Sequence, residues 1–398
     1  MSALQQRLDA PLIDDEFGDA RRRALKALMT HGFPDLKTEA WKYTSLRQLD
    51  KRAAGEASSC ADPARDDLAL PFDAALIELR PDAQMPEGIR LELLSADDLK
   101  DVAYGGREDA FAWLNLARMT QPWRLRIDKT LERPIVLKQA SGKGFTGDQH
   151  TYLHIEVAEG ADATLLDWQH DEGAGLINLV QELHLAPGSR LNHVVARRGA
   201  ESAVIQRTQA RVEAGADYRF AVLDRGGRLH RHDVMVQLLA EEARGEIDGV
   251  ALIDSQQHVD FHTTIEHAVG PTNSRETFRM LADGSGVGVF NGRIHIHRGA
   301  DDSHSDLNTA NLLLSDSARI NTKPELEIYA EEVTASHGAT IGQLEDDALF
   351  YLRSRGIPAS EAASLLKLGF ATEPLSHIEP EALRGWLLSE LNTTLANE

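Results

Sequence analysis

VAEGADATLL (157–166), LAPGSRLNHV (185–194), VEAGADYRFA (212–221), EEARGEIDGVAL (241–252) and LADGSGVGVF (281–290) share one pattern. Each reads as strand, tight turn, strand. A glycine sits at the turn, where a backbone without a Cβ takes positive φ at no steric cost. The turn glycines Gly160, Gly188, Gly215, Gly245 and Gly284 lie 28, 27, 30 and 39 residues apart. A near-fixed period in this range marks stacked supersecondary units. Because the units are short strands, the pattern predicts a mainly β protein with a β-helix or related β-solenoid core. An antiparallel sandwich built from regular hairpins uses the same strands and turns; the repeated turn sequence favours the solenoid.

Outward from these repeats, period-two alternation begins near Trp123 and recurs in Leu153–Val157, Leu183–Leu185, Val234–Val236 and Ile294–Ile296. Upstream the pattern is mostly helical. Phe17, Ala20, Ala24 and Leu28 share a helix face that ends at Gly32, and Phe111, Leu114 and Ala117 mark a second helix over Glu108–Met119. Lys51–Asp73 reads as a connection without pattern, and it contains the chain's single cysteine, Cys60. From about Glu345 the composition turns helical again. Ser360–Leu368 is expected to stop at Gly369, and a last helix after Pro380 carries Leu383, Leu387 and Leu391. The expected division is a mostly helical N-terminal region (1–122), a β-helix core (123–344) and a helical C-terminal region (345–398).

Composition narrows the function. With 42 basic against 63 acidic side chains, the net charge of −21 argues against nucleic-acid binding, which draws on clustered Lys and Arg. No stretch approaches the roughly 20 apolar residues of a membrane span. The opening MSALQQRLDAPLIDDEF resembles neither a signal nor a transit peptide, so the expected localisation is cytoplasmic. One cysteine allows no internal disulfide, no thiolate zinc site and no cluster held by four thiolates of this chain. There is no phosphate-binding GxxxxGK[ST], so no bound nucleotide is expected, and the GxSxG and HExxH enzyme signatures are also missing.

Histidine is abundant in the β-region: fourteen of sixteen lie between His150 and His337. In Ile294-His295-Ile296-His297 the alternation puts both isoleucines on one strand face and both imidazoles on the other. That pair, with His304, is a candidate metal set, since imidazole is the commonest metal ligand. The same pair also reads as an ordinary polar outer face. His262 and His267, five residues apart, should fall on opposite faces. Asn291, Arg293, Asp306, Asn308, Asn311, Asn321 and Lys323 are expected at solenoid corners, where such residues satisfy turn backbone groups. His337 stands apart, before a Gly-Ala-Thr turn.

Asn291-Gly292-Arg293, Asp306, Asn308, Asn311–Ser315, Pro324–Ile328 (PELEI), Ser336–Thr340 (SHGAT) and Tyr351–Gly356 (YLRSRG) resemble the core of the SufB/SufD family of Suf-type iron–sulfur cluster assembly proteins. Thr38–Thr44 (TEAWKYT) is similar to that family's N-terminal Trp motif, so the likeness runs from Pro34 to about Leu388. The Trp motif and the lack of a core cysteine point to the SufD type. The resemblance implies a right-handed parallel β-helix flanked by helical regions, acting as a non-catalytic scaffold subunit of a SufBCD complex. It implies a SufB-like partner at the end of the β-helix and a SufC-like ABC ATPase docked through Tyr351, Arg353, Arg355, Leu365 and Leu366. A homodimer is the expected form when the chain is alone. It also implies a transient iron–sulfur cluster shared with SufB, for which His337 is the candidate ligand at the interface. Some relatives carry Cys two residues before this histidine; here Ala335 stands there, so thiolates must come from the partner. Two other functions are kept open on the residues: a β-helix carbohydrate-active enzyme using Asp301, Asp302 and Asp306, and a metal enzyme using His295, His297 and His304.

Overall fold

The computed structural model describes residues 2–51, 70–142 and 145–396; Cys60 and most of the Lys51–Asp73 connection lie outside them. Strands wind into a parallel β-solenoid of about seven turns with two broad faces. The first face orders β2 (Ile89–Leu93), β3 (Pro122–Ile127), β5 (Asp148–Val157), β7 (Leu176–Leu185), the second half of β8 (Arg190–Val212), the second half of β9 (Asp217–Leu238), β11 (His258–His267), β13 (Val287–Ile296) and β15 (Arg319–Ile328). The second orders β1 (Ala75–Ile77), β4 (Ile135–Ser141), β6 (Asp162–Asp171), the first halves of β8 and β9, β10 (Arg244–Ile253), β12 (Asn273–Ala282), β14 (Ser303–Leu313) and β16 (Val333–Gly342). Among the described residues every strand pair is parallel except β2–β3. This excludes the sandwich.

Side-chain period two explains the core. Ile155, Leu183, Ala210, Val236, Ile265 and Ile294 point inward at successive levels and are fully or almost fully buried. One outer column runs Arg126, Glu156, His184, Arg211, Gln237, Glu266, His295, Glu327, each the register partner of the next. A polar island interrupts the apolar interior. Arg197 pairs with Asp224 at 3.0 Å, both fully buried, and donates to Gln169 and Gln206, from which the network runs on through Gln181 to Asp167. Such groups survive burial only when paired.

The turn ladder differs from the glycine count. Gly160, Gly188 and Gly215 have φ of 66°, 66° and 62° and stack at one corner, each amide donating to a carbonyl of the next coil (Pro187, Ala214, Glu241). The next rung is Glu242, with φ 63° and its amide on Pro271. Gly245 lies inside β10, and Gly284 (φ 51°) belongs to another corner beside Ser255. The apparent steps of 30 and 39 therefore mix positions, while the register steps along the second face run from 27 to 31. Asn291, Arg293, Asp306, Asn308, Asn311, Asn321 and Lys323 are not corner residues; all seven sit within β13, β14 and β15. Several bridge to a neighbouring coil, as where Asn308 accepts from Arg279 and Asn311 donates to the Thr340 carbonyl, while Lys323 reaches Glu39 of the N-terminal region.

The helices cover the two outer faces. α1 (Ala3–Asp9), α2 (Gly18–His31), α3 (Arg47–Asp50) and α4 (Ala110–Arg118) belong to the N-terminal region. Ala24 and Leu28 of α2, and all of α4, are buried against Tyr152, Val180, Ile205 and Leu229 on the first face. This region also supplies β1 and β2, strands that the helical reading did not anticipate. After β16 come α5 (Asp346–Ser354), α6 (Ala359–Thr372) and α7 (Glu381–Ala396). α6 runs through Gly369, because an isolated glycine weakens a helix by only ~1 kcal/mol and Ala371 beyond it is buried. Leu383, Leu387, Leu391 and Leu395 form one buried stripe of α7 over Leu166, Val194, Leu223 and Val250 of the second face.

Candidate functional site at the open end of the solenoid

The two ends of the solenoid are built differently. At the start, Ile77, Leu79 and Ile89 close over the first coil and are nearly fully buried. At the other end, among the described residues, β15 pairs only with β13 and β16 only with β14, leaving two adjacent free edges. The inward residues of this last coil have no coil above them. Ile328, in register with the fully buried Ile296, is 41 % exposed, and Ile341 is 48 % exposed. Leu326, Val333 and Ala335 only partly close the core.

His337 lies in the middle of this mouth. It is paired in register with Leu307, which is fully buried, and alternation turns it to the same side as Val333 and Ala335. Its own side chain is exposed. Next to it, Ser336 donates to Asp306 on the outer side. An imidazole set in an apolar rim is a lone donor: it can contribute one ligand to a metal but cannot complete a coordination shell.

The remaining expected site residues fall elsewhere. His295 and His297 stack at 4.1 Å with rings 7° from parallel on the outer side of the first face, while Ile294 and Ile296 are fully buried. His304 begins β14 on the second face, beside Asn273 and Thr334, away from that pair. His262 faces out to Asp260, 3.0 Å away, and His267 faces in to Thr272 and Ser274, as strand alternation requires. Asp301 accepts the amide of Glu331, and Asp306 accepts from Ser336, so both brace the last coil. Tyr351 is exposed on α5 and Arg355 lies over its ring at 4.9 Å; Arg353 and Leu365 are exposed and Leu366 is half-buried, with α5 packed on α6. Phe350, 71 % exposed, extends this surface and was not singled out from the sequence.

The Trp motif is a structural anchor. Trp41 is buried, donates to the Glu108 carbonyl and carries the Arg231 guanidinium 4.0 Å above its ring. Arg231 also pairs with Asp260 and Asp233 and donates to the Ala40 carbonyl. Thr44 donates to Asp260 at 2.5 Å. Against the cost of burial, the adjacent His262 imidazole and the Arg231 guanidinium hold the Asp260 carboxyl far below the usual carboxylate range. Glu39, bound to Lys323 at 3.0 Å, ties the same motif to β15. Between motif and sheet is an open cleft of about 530 Å³ lined by Arg231, His262, Asn291, Arg293, Lys323 and Glu327, among others.

No helix among the described residues is long and apolar enough to cross a membrane. Residues 138–370 match the family described as SUF system FeS cluster assembly, SufBD core domain. Over 93 % of its length the chain is 29 % identical to the iron–sulfur cluster assembly protein SufD of Escherichia coli, covering 91 % of that protein. It is 31 % identical over 64 % of its length to the chloroplastic protein ABCI7 of Arabidopsis thaliana, covering 56 % of it. It is 35 % identical over 53 % of its length to an iron–sulfur cluster assembly SufBD family protein of Synechocystis, covering 47 % of it. With a parallel β-solenoid filling the matched core and a full-length likeness to SufD, this chain belongs to the SufBD core family of Suf-type iron–sulfur cluster assembly proteins.

Proposed function

We propose that this chain is a non-catalytic scaffold subunit of a cytoplasmic SufBCD-type complex that assembles iron–sulfur clusters. The observation that carries the proposal is the uncapped last coil, where two free strand edges and an exposed apolar rim surround His337. Unpaired strand edges are templates for pairing with another chain. A SufB-type subunit ending in a similar coil covers this one. Pairing there brings His337 beside the partner's thiolates, which supply the ligands that a chain with one cysteine lacks. The cluster is cargo, held transiently and shared. The exposed Tyr351, Arg353, Arg355 and Leu365 surface on α5 and α6 receives a SufC-type ATPase, which accounts for nucleotide turnover in a complex whose scaffold has no phosphate loop.

Co-expression with a cysteine-bearing sister subunit and an ABC ATPase tests this. A single co-purifying complex is expected. Ile328→Asp combined with Ile341→Asp should abolish sister binding while leaving a folded chain. His337→Ala should leave the complex intact and reduce the cluster formed on it. A stable, partnerless monomer under co-expression, or a double-aspartate variant that still binds the sister, sinks the pairing. Undiminished cluster formation in His337→Ala removes the histidine from the mechanism and leaves the scaffold standing.

A further inference from the structure

The outer column of the first face places Glu266, His295 and Glu327 side by side on three successive coils. His297, two residues beyond His295, turns to the same side and stacks on it. One donor atom each from Glu266, His295 and His297 lies within 4.8 Å of the others, and all three side chains are half-buried. Four ligands at metal–nitrogen and metal–oxygen lengths of 2.0–2.1 Å form a tetrahedron with edges of about 3.4 Å. Closing the group therefore needs small side-chain rotations, with no movement of the strands. Glu327 stands 3.5 Å from Nδ1 of His295, on the far side from Glu266.

The surroundings fit an outer shell. Gln237 donates to Oε2 of Glu266 at 2.9 Å, which fixes the carboxylate and leaves Oε1 outside that bond. Such second contacts orient metal-binding carboxylates. Arg293 lies 3.9 Å from Glu266 and 3.5 Å from Glu327, flanking both carboxylates.

We propose that Glu266, His295 and His297 form a binding site for one first-row divalent cation of the zinc or ferrous-iron class, with Glu327 or water as fourth ligand. Two imidazole nitrogens and a carboxylate suit these borderline ions and disfavour magnesium and calcium, which take oxygen shells. The site stands on the outer face, apart from His337 in the mouth, and it does not depend on any partner subunit.

Titration of the metal-free full chain with Co²⁺, read by its d–d absorption and competed with Zn²⁺, tests the assignment. One equivalent is expected to bind. His295→Ala and His297→Ala should each weaken binding at least tenfold, since loss of an outer-shell contact alone weakens metal affinity about 10–100-fold. Glu266→Gln should weaken it as well, while His304→Ala and His337→Ala should leave it unchanged. Far-ultraviolet circular dichroism and Tm of each variant separate lost ligands from lost folding. The proposal is overturned if no cobalt binds, if binding survives in the His295→Ala/His297→Ala double variant, or if His337→Ala is what abolishes it.

Discussion

Replacing Glu276 with glutamine should change stability by an amount that depends steeply on pH. Glu276 points into the solenoid from β12 between Ile247 and Leu307, both fully buried core residues. Its carboxyl is fully buried; the Thr263 hydroxyl faces it, yet neither oxygen accepts a hydrogen bond of good geometry. Burial, reinforced by the Asp248 carboxylate, pushes its pKa from 4.5 up to about 8. The unfolded chain releases this proton near 4.5 and the folded chain keeps it until about 8. Stability is therefore lost as pH rises through that window. At about 1.4 kcal/mol per pKa unit, the penalty relative to a permanently neutral side chain is below about 1 kcal/mol at pH 5 and about 3 kcal/mol at pH 7, and it levels near about 5 kcal/mol above pH 8. Glutamine has the same shape and cannot ionise, but its buried amide hydrogens lack a full set of acceptors, a pH-independent loss of about 1–3 kcal/mol. The variant should thus be equal to or weaker than the wild type at pH 5 and more stable above pH 7. Urea unfolding midpoints of both proteins at pH 5, 7 and 8.5 read this directly, and the slope of their difference is the diagnostic. A difference that does not change with pH refutes the reasoning.

Arg231→Met should lower stability by about 3–5 kcal/mol, because it strands the buried Asp260 carboxylate, and should loosen the Trp motif, seen as faster tryptic cleavage after Lys42. Unchanged stability and cleavage would show that Arg231 is not the clamp. Glu242→Gly should stabilise the turn ladder by up to about 1 kcal/mol, since Glu242 holds φ 63° where the three preceding rungs are glycine; a lower urea midpoint contradicts this. Burial holds His150 and His193 down to about 3 and His267 down to about 4. These residues charge near 6.5 only when the chain unfolds, so their contribution is complete above pH 6.5 and is lost as pH falls toward 4. His193→Gln should reduce proton uptake on acid unfolding by about one, and an unaltered uptake rules His193 out as a source.

Much of the solenoid was legible because its period is written in turns and alternation, both local signals. The register was not, because a position needing positive φ can be met by Glu242 as well as by glycine, and because Gly284 marks a different corner. The polar residues of β13 to β15 misled for a related reason: side chains that bind across coils, or to the N-terminal region, resemble turn residues in composition. His295 and His297 were visible as a pair through strand alternation. Glu266 and Glu327 were not, since they meet that pair only through coils 29 and 32 residues long; counting one coil period either way from His295 finds both. The anchor role of Trp41 depends on Arg231 and Asp260, nearly 200 residues away or more, and no local pattern announces such a contact.

The asymmetry of the two ends also limits how large an assembly can grow. A solenoid open at both ends can stack head to tail without limit, because a heterologous contact repeats. Here Ile77, Leu79 and Ile89 close the core at the first coil, and the exposed apolar rim of inward residues lies at the last coil. An open end can mate only with another open end, and two identical ends mate about a two-fold axis, so growth stops at two bodies. Under the proposed pairing, self-pairing and pairing with a sister subunit would use the same edge and exclude each other. A self-paired chain would then be a reservoir withdrawn from that assembly, with the relative amounts of the two subunits setting how much of it exists.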